Sequence, residues 1–156
     1  MSFGWINLVN AAFVVDLIVM STLSQKKSGL PPLQSRRKVL NLFEQVGRYS
    51  CMALMVLPLL PGFKFGFASS GAMMGCLFGA LTLLLVYTLL WARVKRGGAV
   101  LYGLALVPAL LFLLVGVLLR HPALVGAAIL FGVCHTLIVW EFLHTETEGK
   151  GSDVCP

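Results

Sequence analysis

Charge is scarce in this sequence, and acidic charge is scarcest. Only 12% of the 156 residues are Asp, Glu, Lys or Arg, and twelve basic residues outnumber six acidic ones. A water-soluble domain carries about 25% charged residues, so there is too little polar surface here to cover a soluble core. Cysteine is present without a pattern. Cys51, Cys76, Cys134 and Cys155 show no CxxC spacing and no pairing, which argues against a disulfide framework or a structural zinc site. There is no glycine-rich phosphate loop, nucleophile elbow or HExxH helix, and no face that interleaves basic and aromatic residues. No metal, no cofactor and no nucleic acid partner is expected.

What the chain has in abundance is apolar sequence, 58% of residues, with a mean hydropathy of +0.91. The expected fold is all-α, an integral membrane helical bundle of about five transmembrane helices, since a span needs about 20 apolar residues. The spans fall near 3–23, 43–60, 71–91, 99–119 and 123–143. An amphipathic cytoplasmic lead-in covers 36–48, residues 1–145 form one bundle, and 146–156 make a flexible cytoplasmic tail. The first span is expected to stay in the mature chain, because no Lys or Arg precedes it and Asn7, Asn10 and Asp16 interrupt it.

Five spans put the termini on opposite sides. Ten basic residues (Lys26, Lys27, Arg36, Arg37, Lys38, Arg48, Arg93, Lys95, Arg96 and Lys150) then share one side, and only Lys64 and Arg120 take the other. The positive-inside bias therefore predicts the N-terminus outside and the C-terminus in the cytoplasm of a multi-pass cell-membrane protein. Gly71, Gly75 and Gly79 repeat at the four-residue interval that lets helices approach closely. They are expected to be helix-packing residues, either inside the bundle or at a homodimer seam, and Gly75→Ile should disturb packing more than Ala109→Ile.

The stretch Arg36–Met55 is neither plainly membrane nor plainly loop. At helical spacing Val39, Leu42, Phe43, Val46, Ser50 and Ala53 make an apolar stripe. Arg37, Asn41, Glu44, Arg48, Cys51 and Met55 make a second one, polar at its start, with Glu44 and Arg48 spaced for an i,i+4 ion pair. Ionisable residues inside a membrane are the first functional candidates. Asp16 and His135 lie at equal depth, roughly 20 Å from the outer ends of their helices, and are expected to form one polar intramembrane contact. Glu44, Arg48, Glu141 and His144 are expected to gather at the cytoplasmic mouth.

Two resemblances add to this. Arg120-His121-Pro122 with Gly126 resembles part of the signature of the membrane isoprenylcysteine and phospholipid methyltransferases, which implies S-adenosylmethionine at the cytoplasmic face. The chain departs from that pattern: Leu124 stands where the family has an aromatic, and Glu141, Glu146 and Glu148 match its glutamate-rich segment poorly. The turn also falls on the outer side, so the cofactor is not expected. Phe43-Glu44-Gln45-Val46-Gly47-Arg48 with Cys51-Met52, together with Gly132-Val133-Cys134-His135, resembles small uncharacterised polytopic bacterial membrane proteins. That likeness implies a bacterial inner membrane and no activity. Three roles are left open. The first is a binding or accessory component of the lipid bilayer, alone, as a homodimer or beside a larger membrane partner. The second is a small proton-linked transporter using Asp16 and His135. The third is a lipid enzyme built on Glu44, Arg48, Glu141 and His144.

Overall fold

The computed structural model describes residues 5–28, 35, 37–57, 67, 69–93 and 98–150. Among them there are five α-helices and no strand: α1 (Trp5–Ser28), α2 (Lys38–Val56), α3 (Ser70–Ala92), α4 (Gly98–Leu118) and α5 (Pro122–Lys150). Three are long and apolar enough to cross a membrane: α3, α4 and the Pro122–His144 part of α5. In α1 the apolar part is the shorter Val9–Leu23. The lead-in and second span expected over 36–60 meet in one continuous helix, α2 over Lys38–Val56, with 36 and 58–60 outside the described residues. Helix α1 runs past the predicted end at 23, because Ser24-Gln25-Lys26-Lys27 contains no helix breaker. Helix α5 likewise continues to Lys150, into the stretch read as a tail.

Side-chain hydroxyls in the apolar helices donate to their own backbone. Thr82 bonds Phe78 O at 2.8 Å, Thr88 bonds Leu84 O at 2.9 Å and Thr136 bonds Gly132 O at 2.7 Å. A hydroxyl satisfied this way needs no water. Pro108 lies within α4 without ending it, although its ring deprives the Leu104 carbonyl of a helical donor.

The helices pack in the order α1–α2–α5–α4–α3, with a lighter contact of α1 on α3 closing the ring. The four successive pairs from α1 to α3 in that order are antiparallel, and small residues set the close points. Along α4 and α5, Gly98 meets Leu143, Ala109 meets Gly132 and Gly116 meets Val125. Gly79 and Gly103 of α3 and α4 meet Leu114 and Leu90 across the next seam. The predicted glycine stripe therefore divides. Gly79 packs against α4, whereas among the described residues a Cβ at Gly71 would meet only its own cap residue Ser69 within 4 Å and one at Gly75 would meet nothing. Both face outward because the buried positions of α3 are Cys76, Ala80, Leu84 and Tyr87, on the other side of the helix.

The turn between α4 and α5 is two caps back to back. Arg120 adopts φ 54°, the left-handed conformation, just past the end of α4. The Arg120 amide donates to Val117 O at 3.1 Å and the His121 amide to Gly116 O at 2.8 Å, the two bonds of a Schellman motif. His121 then caps α5: the Leu124 N–H donates to its Nδ1 at 3.2 Å, and Pro122 occupies the first helical position. This capping role accounts for Arg120-His121-Pro122 by local geometry alone.

Candidate functional site

Helix α2 is strongly amphipathic, and it is turned with its polar stripe inward. Glu44, Gly47, Cys51 and Met55 are buried, while Val39 (64%), Leu42 (61%), Val46 (49%) and Tyr49 (64%) are exposed. The inward stripe lies along α5. Gly47 makes this possible: a Cβ there would stand 3.0 Å from the Cα and backbone N of Phe131. With no side chain between them, the two backbones approach closely and bring Glu44 and Arg48 against the face of α5 that carries Phe131 and His135.

The result is a compact ionic cluster. Arg48 donates to Glu44 Oε1 one turn away, and His135 Nδ1 lies 3.1 Å from the same oxygen without forming an aligned hydrogen bond. The carboxylate is the buried member, with its side chain 6% exposed against 19% for His135 and 39% for Arg48. Phe131 forms the floor. The His135 ring stacks on it at 5.1 Å and 25°, the Arg48 guanidinium carbon lies 6.0 Å from its centroid, and Phe112 meets it edge-on at 6.0 Å. Arg48 neutralises Glu44, and a proton on His135 would leave the group with one net positive charge. This arrangement can hold an anion or pass a proton.

A second cluster lies nearer the N-terminal end of α2. Ser35 Oγ donates to the Glu141 carboxylate, and Asn41 clasps the Ser35 backbone through its amide group, accepting from N at 2.9 Å and donating to O at 2.8 Å. The Arg37 amide donates to Ser35 Oγ at 3.0 Å. Ser35 is not among the sequence-predicted site residues, and Asn41 stands there only as one polar position of a stripe. The usable signal was their spacing around a helix start.

The sequence-predicted sites are thus redistributed. Asp16 is half-buried on α1 and makes no hydrogen bond or ion pair among the described residues, while His135 faces Glu44 instead. The expected Asp16–His135 contact is absent because α1 packs on α2 and α3, with α2 lying between it and α5. Glu44 and Arg48 do not join Glu141 and His144 at one mouth. The antiparallel register sets Glu44 opposite His135, almost two turns from Glu141, and His144 Nδ1 lies 3.1 Å from Trp140 O with its ring over Trp140. Asn10, one of the polar residues that interrupt the first span, donates to Met55 O at 3.0 Å, an end-of-helix carbonyl of α2. Cys51, Cys76 and Cys134 are buried free thiols.

Between α2 and α5 an open groove of about 400 Å³ runs from Arg37 and Glu141 along Phe43, Leu137 and Trp140. Fold and cluster together define an all-α protein with three helices able to span a membrane and a buried ionic group between one of them, α5, and α2. No protein-family model, no curated protein and no solved structure matches the chain.

Proposed function

We propose that the chain is a multi-pass membrane protein, N-terminus outside and C-terminus cytoplasmic, that acts as a binding component of the membrane around the Glu44–Arg48–His135 cluster. One observation carries this: α2 hides its polar stripe and presents its apolar one. In water, each such exposed side chain forgoes about 1.5 to 3 kcal/mol of burial, and a continuous apolar patch invites association. Against lipid chains the same arrangement is the favourable one, and an ionic group must be internally paired. The charge distribution supports the orientation. With Arg48 counted in the bundle, nine of the remaining basic residues still fall on the cytoplasmic side and two on the other.

Proton-linked permeation is the second reading, favoured by the 3.1 Å approach of His135 to Glu44, and it moves the proposed path from Asp16 to Glu44. Two measurements separate the outcomes. Single cysteines at Ser28 and Ser70 should label only from the cytoplasm and only from outside, respectively; the reverse pattern sinks the orientation. In proteoliposomes under a pH gradient, the binding reading expects no proton flux above that of empty vesicles. Flux that disappears in Glu44→Gln would establish the second reading in its place.

A further inference from the structure

The groove between α2 and α5 has two chemically different parts. Its long walls are Val39 and Phe43 on one side and Leu137 and Trp140 on the other, all close to half exposed or more. Its end carries Arg37, with Lys38 beside it, both exposed and without a side-chain partner among the described residues. Glu141 borders the same end, but its carboxylate accepts from Ser35. Two further features favour a negative ligand there. The N-cap of α2 is Arg37, whose side chain makes no capping hydrogen bond, and the positive end of the helix dipole lies at this end of the groove. The Trp140 and His144 rings lie 4.3 Å apart, tilted by 38°, at this level, and tryptophan prefers the boundary between headgroups and chains.

We propose that this groove holds one anionic phospholipid, its phosphate on Arg37, which lines the groove, with Lys38 next to it in the chain, and one acyl chain between Phe43 and the Leu137–Trp140 wall. The volume of about 400 Å³ falls within the range of small-ligand sites. The choice of an anionic lipid over a zwitterionic one follows from charge, since a choline would lie against two cations. The proposal rests on the membrane reading above, because the ligand must enter sideways from a bilayer.

Trp140 is a built-in reporter. With Trp5→Phe and Trp91→Phe it becomes the sole tryptophan of the full chain, which is reconstituted in phosphatidylcholine bilayers. Brominated phosphatidylglycerol or brominated phosphatidylcholine is then titrated in as quencher. Half-maximal quenching should need an about five-fold lower mole fraction of the anionic lipid, the ratio that one well-placed cation gives at a lipid surface. Arg37→Gln with Lys38→Gln should remove that advantage, and Arg120→Gln at the far end should leave it. Equal quenching by the two lipids overturns the lipid site and leaves the membrane reading standing. Quenching by neither at any mole fraction overturns both. Should the tryptophan-reduced chain fail to fold, native mass spectrometry of the otherwise unaltered protein replaces it. One phosphatidylglycerol retained by the wild type and lost in Arg37→Gln/Lys38→Gln supports the site, and identical retention refutes it.

Discussion

At the scale of single residues, the α4–α5 turn gives the sharpest consequences. Arg120 holds a left-handed backbone conformation that costs a residue with a Cβ about 1 to 2 kcal/mol. Arg120→Gly should therefore raise stability by about 1 kcal/mol, and Arg120→Val should lower it, as read from thermal unfolding in detergent. His121 caps α5 by accepting a hydrogen bond from the Leu124 amide at Nδ1, which requires that nitrogen to be unprotonated. Burial holds its imidazole below the ordinary value of 6.5, with a backbone hydrogen bond opposing. The unfolded chain thus takes up the proton first as the pH falls. The contribution of His121 is complete above about pH 6.5 and is lost as the pH drops through that value toward the lower folded one. His121→Asn keeps a capping oxygen and does not titrate. The stability difference between wild type and His121→Asn, measured from pH 7.5 to 5, should move against the wild type, and a constant difference would rule out the cap. The residues of this turn were legible as a motif, but their meaning was not. A positive φ and a ring nitrogen used as a cap leave no periodic trace in a sequence.

At the scale of helices, close approach decides more than composition. Gly47 stands against backbone, so Gly47→Ala must drive α2 away from α5 and should cost about 1 to 3 kcal/mol as an overpacked contact. A Cβ at Gly75 would meet none of the described residues, and Gly75→Ala should gain about 0.5 to 1 kcal/mol from helix propensity alone. Ala109 is buried against Gly132, so the order expected from the glycine stripe reverses: Ala109→Ile should lower the unfolding temperature more than Gly75→Ile. The five helices themselves were readable from hydropathy and length, and their ends came within a few residues wherever a proline or glycine stood nearby. The two stripes of α2 were readable as well. Which stripe faces the protein was not, because a helical period says only that two faces differ and leaves the surroundings of each unstated. The same gap misplaced the site. Depth along two helices paired Asp16 with His135, yet depth carries no information on which helices are neighbours, and α2 with Glu44 is the one that lies on α5.

At the scale of the molecule, the fold has a dense side and a light one. Helices α2, α5, α4 and α3 form a consecutive run of packed antiparallel pairs, while α1 joins through a narrow stripe of Asn10, Phe13, Val14 and Leu17. Outside α1, that stripe has one polar anchor among the described residues, the Asn10 bond to Met55 O. Local opening free energies follow such differences in buried contact, so α1 should detach before the other helices unfold. Hydrogen exchange in detergent or nanodiscs should show the amides of 9–23 exchanging well ahead of those of 104–116, which lie in the most buried helix. Asn10→Leu removes the donor and leaves the Met55 carbonyl buried without it, a loss of about 1 to 3 kcal/mol. That loss should appear almost entirely as faster exchange in α1, with α4 unchanged, since α4 takes nothing from the bond. If α1 and α4 instead exchange together in the wild type, and Asn10→Leu accelerates both equally, the five helices open as one unit. The stripe on α1 would then be as integral to the bundle as the α4–α5 seam.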